Sequence, residues 1–228
     1  MRVAEIFYSI QGEGRLAGVP SAFVRTSGCN LRCQWCDSPY TSWEPEGTHL
    51  SLTEIIRRLE PYPTDHVVVT GGEPLIAGGI EDLCTGLKER GYHVTLETAG
   101  TVFKPVPCDL ISLSPKLANS IPHHREGGRF AERHDRLRLQ FDVLQAFIDR
   151  YDYQLKFVLD EPSDVGEVVA ILDRLQGVER TKVLLMPQGV TREELDRRAE
   201  WLAEACKEHG FRYCPRLHVE LYGNRRGT

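Results

Sequence analysis

Short apolar runs that read as buried strands alternate with stretches that read as amphipathic helices, and this alternation constrains the fold of the 228-residue chain most. The valine-rich run His66-Val67-Val68-Val69-Thr70 has the character of a parallel strand buried on both faces. Similar strands are predicted at Ser21–Arg25, His93–Thr98, Leu110–Leu113, Gln154–Leu159 and Lys182–Met186. Between them, Ser51 to Glu54 reads as a capping box opening a helix with Leu52, Ile55, Ile56 and Leu59 at a 3.6-residue period, ended by Pro61 and Pro63. Further helices are predicted from Ile80 to Arg90, about Leu137 to Tyr151 and about Ser163 to Leu175. A last one runs from a second capping box, Thr191 to Glu194, to about His209 before Gly210. Val3–Tyr8 reads as an opening strand and Arg216–Leu221 as a closing one. About six βα repeats joined by right-handed crossovers give an α/β fold with a parallel sheet.

In such folds ligands gather at the carboxyl ends of the strands. Those ends here are polar and loop-forming: Thr26-Ser27-Gly28, Gly71-Gly72-Glu73-Pro74, Glu97-Thr98-Ala99-Gly100-Thr101, Ser114-Pro115-Lys116 and Pro187-Gln188-Gly189. Two glycines after a buried strand let backbone approach a ligand, and they serve a tight strand-to-helix turn equally well. No linker, composition shift or repeat divides residues 1–228, so one domain is expected. From about 118 to 136 the pattern lapses into Pro, His, Gly and Arg, which reads as a surface insertion. His123, His124 and His134 within it are irregularly spaced and are expected to be solvated rather than metal ligands.

The chemistry concentrates in Gly28-Cys29-Asn30-Leu31-Arg32-Cys33-Gln34-Trp35-Cys36-Asp37-Ser38. Its C-x3-C-x2-C spacing lets three thiolates converge on one inorganic centre. A [4Fe–4S] cubane takes one thiolate per iron, so three leave the fourth iron open for chemistry. Structural zinc takes four ligands, and only Cys33 and Cys36 form a C-x2-C pair. A non-catalytic, zinc-stabilised interaction module is the rival reading, and it leaves the glycine-rich strand ends unexplained. Seven cysteines, an odd number without an apolar leader, fit a reducing cytoplasm better than a disulfide framework. Cys84, Cys108, Cys206 and Cys214 lack close pairing and read as small hydrophobes. The 41% hydrophobic and 27% charged composition is that of a globular protein, and no run approaches a membrane span. A net charge of −5 argues against nucleic acid, leaving a small molecule or another protein as partner.

The cysteine spacing resembles the cluster motif of radical S-adenosylmethionine (SAM) enzymes. Ser9-Ile10-Gln11-Gly12-Glu13-Gly14, Phe23-Val24-Arg25, the cysteine loop, Thr70 to Pro74, Glu97 to Thr101 and Ser114 to Lys116 narrow the likeness. Together they resemble the 7-carboxy-7-deazaguanine synthase family over nearly the whole chain except the segment after Lys116. The resemblance implies a partial, open (β/α)6 TIM-like barrel with a shortened or modified helical layer. It implies a lyase that converts 6-carboxy-5,6,7,8-tetrahydropterin into 7-carboxy-7-deazaguanine with loss of ammonia, on the route to queuosine and other 7-deazapurines. The implied cofactors are a [4Fe–4S] cluster on Cys29, Cys33 and Cys36, SAM, and Mg2+ on the Ser38 hydroxyl. SAM would be flanked by Trp35, Asp37, Gly72, Ser114, Pro115, Lys116, Met186, Pro187, Gln188 and Gly189, and substrate by Ile10, Gln11, Gly12, Arg25, Thr70 and Glu97. No conventional acid or base is implied. A flavodoxin- or ferredoxin-type electron donor and a cytoplasmic homodimer, without nucleic acid or membrane, complete the expectation. A radical SAM activase acting on a protein partner is the alternative within the superfamily; such enzymes often add ferredoxin-like cysteine sets, which this chain lacks.

Overall fold

Nine strands form one sheet in the computed structural model, which describes residues 1–228. They are β1 (Arg2–Ile10), β2 (Pro20–Thr26), β3 (Thr48–His49), β4 (His66–Gly71), β5 (His93–Thr98), β6 (Leu110–Leu113), β7 (Tyr153–Leu159), β8 (Val183–Pro187) and β9 (Arg212–Tyr213). The helices are α1 (Pro39–Ser42), α2 (Leu52–Leu59), α3 (Ile80–Glu89), α4 (Ala131–Arg138), α5 (Phe141–Arg150), α6 (Asp164–Leu172), α7 (Arg192–His209) and α8 (Leu217–Tyr222). The strand order is β3-β1-β2-β4-β5-β6-β7-β8-β9. From β2 onward neighbours run parallel, whereas β1 lies antiparallel to β2 and β3. No strand closes β9 onto β3, so the sheet is a partial, open barrel. Its helical layer is interrupted: β2 leads into the cysteine loop, and no helix lies between β5 and β6.

Residues Val67, Val69, Leu96, Ile111, Leu155 and Leu185 are buried in one core with Ile55, Leu83, Leu87, Phe147 and Leu202 from the helices. Burial at about 25 cal/mol per Å2 of apolar surface is what holds the helices to the strands. Both capping boxes form, with Ser51 and Thr191 each accepting from the backbone N–H of a glutamate three residues on. Gly210 ends α7 in the left-handed region, as expected.

Four expectations are corrected. Arg216–Leu221 is not a strand; Leu217–Tyr222 is helical, because Pro215 cannot donate to a ladder and the edge is taken by the two-residue β9. The helix expected from Leu137 is two helices, broken at Leu139, whose backbone is extended, and at Gln140, whose backbone is also non-helical. Gln140 Nε2 donates to the carbonyls of Arg136 and Leu137, satisfying the end of α4. Leu52 is exposed, unlike Ile55, Ile56 and Leu59. His134 is buried, not solvated, while His123 and His124 are exposed.

The His134 ring has a defined protonation state. Nδ1 accepts from the Arg32 backbone N–H at 3.0 Å, so Nε2 carries the hydrogen and faces Ser120 Oγ at 2.9 Å; Oγ in turn donates to the Leu117 carbonyl. Burial, aided by the Arg138 and Lys116 charges, pushes its pKa from 6.5 down to about 4. Since the unfolded chain binds the proton more readily, this contribution is complete above pH 6.5 and lost as pH falls toward 4. The loss is about 3 kcal/mol at the 1.36 kcal/mol per unit of linkage. Urea unfolding at pH 7.5 and pH 5 is expected to show a larger acid-induced loss in wild type than in His134→Phe.

Candidate active site

Strand β2 delivers the cysteine loop at its carboxyl end, and the loop is fixed by bonds to distant segments. Gly28 N–H donates to the Thr41 carbonyl at 2.8 Å, Gln34 N–H to Ser120 at 2.8 Å, and Trp43 Nε1 to the Cys33 carbonyl at 3.0 Å. Trp35 Nε1 donates to the Asn119 carbonyl at 3.0 Å. Glu73 N–H donates to the Gly28 carbonyl at 2.9 Å, so the β4 turn packs directly on the loop. A Cβ at Gly72 would lie 2.3 Å from the Gly28 carbonyl oxygen and 2.8 Å from Cys29 Cβ, so that packing itself requires glycine. The buried Glu73 carboxylate accepts from Thr98 Oγ1, Ala99 N–H and Leu75 N–H, tying β4 to β5 behind the loop.

Cys29, Cys33 and Cys36 are free thiols that line one cleft. Burial pushes the Cys29 thiol up to about 12 and raises Cys33 and Cys36 as well, so loading a metal centre there releases protons. No three His, Cys, Asp or Glu side chains converge as ligands of a single metal ion. A cubane asks for a different arrangement, one thiolate on each of three separate irons, and three free thiols on one cleft wall suit it.

The cleft encloses about 290 Å3. It gathers Ile10, Gln11, Gly12, Arg25, Trp35, Asp37, Ser38, Thr70, Gly72, Glu97, Ser114, Lys116, Met186, Gln188 and Gly189, whereas Pro115 and Pro187 do not line it. Glu97 accepts from Gln11 Nε2 at 3.1 Å and Thr70 Oγ1 at 2.8 Å. Gln11 Oε1 accepts from Glu13 N–H at 3.1 Å, fixing which way the amide points. Arg25 donates through Nε to Glu5 at 2.7 Å, and its terminal nitrogens have no hydrogen-bond partner in the protein. Tyr40 donates to the same Glu5 oxygen at 2.7 Å. Lys116 Nζ donates to both Ser114 oxygens at 2.8 Å. Ser38 Oγ donates to Asp37 Oδ1 at 3.2 Å, which sets a hydroxyl beside a carboxylate on the cleft wall.

A charge network beneath these residues escaped the sequence reading. Glu13 is bonded by Lys156 and by Arg216 Nε at 3.0 Å, while Arg216 also donates to Asp37 and to the Gly189 carbonyl at 2.6 Å. Burial opposes ionisation of Glu13, but Lys156 and Arg216 outweigh it and hold the carboxyl far below its usual range. Burial opposes that of Asp37 too, and Arg216 prevails there. His218 packs where a Gly12 Cβ would sit, 1.9 Å from its Nδ1, and burial lowers its pKa. Lysine inside the apolar run Gln154–Leu159 was the available signal; Arg216 and His218 lay in the misread strand. Residues Asn224–Thr228 also reach the cleft, with Arg226 bonded to Glu46 at 2.8 Å.

Arg216 thus ties the loop of Gln11 and Glu13 to those of Asp37 and Gly189. Arg216→Met leaves Glu13 paired with Lys156 alone and Asp37 without an ion-pair partner, and is expected to destabilise the fold by about 3 kcal/mol, the usual cost of breaking a buried pair. Chemical denaturation of wild type and variant at neutral pH measures it.

A partial barrel with three cysteines in the loop after its first parallel strand is the architecture of the radical SAM superfamily, whose family model matches residues 23–202. The chain belongs to that superfamily. Within it, 7-carboxy-7-deazaguanine synthase of Halobacterium salinarum is 48% identical, over 97% of this chain and 90% of the relative. That of Rhodopirellula baltica is 44% identical, over 99% of this chain and 88% of the relative. The chain is a member of the 7-carboxy-7-deazaguanine synthase family. The crystal structure of QueE from Escherichia coli shares the fold, with a TM-score of 0.69 at 23% identity over 93% of this chain and 92% of that one. No helix is long and apolar enough to cross a membrane.

Proposed function

We propose that the chain converts 6-carboxy-5,6,7,8-tetrahydropterin into 7-carboxy-7-deazaguanine with loss of ammonia, as a radical SAM lyase of 7-deazapurine synthesis. The observation that carries the reading is an arginine with free terminal nitrogens in the same cleft as three free thiols.

Cys29, Cys33 and Cys36 would hold a [4Fe–4S] cluster, which together with SAM would supply a hydrogen-abstracting radical on one-electron reduction. The chain's own residues bind, orient and keep water out. Arg25 grips the substrate carboxylate through its terminal nitrogens, a bidentate geometry that guanidinium favours. Gln11, held by Glu97 and by Glu13 N–H, keeps one N–H and one lone pair for the edge of the pterin, and Thr70 fixes the opposite side of Glu97. Phe7 and Phe23, stacked at 4.7 Å, form an apolar wall against water. Trp35, Asp37, Gly72, Ser114, Lys116, Met186, Gln188 and Gly189 line the space for SAM, and Pro115 and Pro187 adjoin it in sequence without lining it. Ser38 offers Mg2+ one hydroxyl, sufficient for an ion that draws its other oxygens from water and substrate. An external one-electron donor completes the system.

Calorimetry of the reconstituted protein with SAM and Mg2+ tests the reading without turnover. The 6-carboxy pterin is expected to bind at least about 10-fold more tightly than the 6-methyl analogue, the gain from one charge-assisted pair. Equal affinities would overturn it.

A further inference from the structure

Strand β1 changes face between Val3 and Glu5, and the change places a carboxylate against the arginine of the cleft. Val3 pairs with Thr26 but Glu5 pairs with Arg25, so β1 holds one residue, Ala4, that β2 does not match. Val3 is therefore buried in the core, whereas Glu5 lines the cleft together with Phe7. In a regular strand Val3 and Glu5 would face the same side. A bulge of this kind leaves one residue unpaired and re-aims the side chain after it. Neighbouring segments hold it in place. Arg226 Nη2 donates to the Ala4 carbonyl at 3.3 Å, and a Cβ at Gly47 would lie 2.4 Å from the Val3 carbonyl oxygen.

The redirected carboxylate ties three segments together. Its Oε1 accepts from Arg25 Nε and from the Tyr40 hydroxyl, both at 2.7 Å. Its Oε2 accepts from Arg226 Nε at 3.4 Å, and the Arg226 guanidinium lies 4.1 Å over the Tyr40 ring. Burial and the bond to Glu5, against the Arg25 charge, push the Tyr40 hydroxyl up to about 12, so Tyr40 stays a donor at neutral pH. Tyr40 lies on α1, two residues beyond Ser38, and the shared oxygen thus links the arginine to that segment. The Arg25 guanidinium also sits over the Phe7 ring, 5.6 Å from its centroid. A guanidinium is planar, so a bond at Nε and a ring beneath it fix the plane in which its two terminal nitrogens meet a ligand.

Resting on the function proposed above, we propose that Glu5 is a positioning residue that sets the selectivity for the substrate carboxylate. It aligns the Arg25 fork and registers it against α1, acting through geometry rather than charge. As a charge alone it would do the reverse, since a carboxylate beside Arg25 repels an incoming one. Both bonds fall on one oxygen, and the amide oxygen of a glutamine reproduces that acceptor.

The test is calorimetry and steady-state kinetics of reconstituted wild type, Glu5→Ala, Glu5→Gln and Tyr40→Phe with SAM and Mg2+. Glu5→Ala is expected to raise KM for the 6-carboxy pterin about tenfold with kcat within about threefold of wild type. Its affinity for the 6-methyl analogue stays unmoved, so the preference for the carboxylate shrinks by the same factor. Glu5→Gln is expected to recover most of that loss, and Tyr40→Phe to shift in the direction of Glu5→Ala by less. Binding of the carboxy pterin by Glu5→Ala as tight as in wild type, or tighter, would overturn the proposal and make Glu5 a charge that Arg25 overcomes. An equal loss for both pterins would also overturn it, making Glu5 a prop of the strand, as would a Glu5→Gln protein as impaired as Glu5→Ala. A wild type with no preference for the carboxy pterin sinks the assigned reaction and this role with it, whereas a wild-type preference that Glu5→Ala keeps sinks the role alone.

Discussion

Cys33→Ala is expected to yield a folded protein that holds no intact [4Fe–4S] cluster and forms no 5′-deoxyadenosine from SAM. Cys33 is buried among Leu31 and Ala99, so losing its sulfur costs the fold on the order of 1 kcal/mol, little beside the lost ligand. The remaining thiols cannot replace it. Cys84 and Cys206 sit in the helical core, and Cys214 accepts from Gly14 N–H behind the charge network. Iron and sulfide analysis after anaerobic reconstitution checks the result, with Cys84→Ala as the control that keeps its full iron content.

The second large effect is expected at Arg25. Arg25→Ala should lower kcat/KM by about 10²- to 10³-fold, mainly through KM, because it removes a bidentate charge-assisted pair made in ground and transition state alike. Glu5 adds to the loss. Its carboxylate, 12% exposed, would face the substrate carboxylate with only Tyr40 and the more distant Arg226 to offset it. Arg25→Lys should recover little, since an ammonium is a point charge without the planar fork. Adding Glu5→Gln to Arg25→Ala should restore part of the affinity by removing the repulsion. Steady-state kinetics of the four proteins with saturating SAM separates these contributions.

Local pattern made the sheet and the cysteine loop legible. Runs such as Val67–Val69 and Leu110–Leu113 carry their burial in their composition, and the C-x3-C-x2-C spacing singled the loop out through its resemblance to the radical SAM cluster motif. What escaped depends on long-range partners. Glu13 and Arg216 are 203 residues apart, and nothing near either signals the other. The alternating Leu217, Val219 and Leu221 imitate a strand, and only the sheet edge occupied by β9 shows why they coil into a helix. His134 reads as a polar residue in a charged segment until the Arg32 backbone and Ser120 are found against its ring. Gly72 illustrates an intermediate case: its need for glycine was readable, but the close neighbour is the cysteine loop itself as well as the cleft.

The most direct test of the central claim is anaerobic turnover of the reconstituted protein with dithionite, SAM, Mg2+ and 6-carboxy-5,6,7,8-tetrahydropterin, counting 7-carboxy-7-deazaguanine formed per SAM consumed by mass spectrometry. The expected result is many products per SAM, with ammonia released in step. Cleavage of SAM to 5′-deoxyadenosine with the pterin unchanged would contradict the assigned reaction while keeping the radical chemistry, and a cleft that takes up zinc but no iron would contradict both.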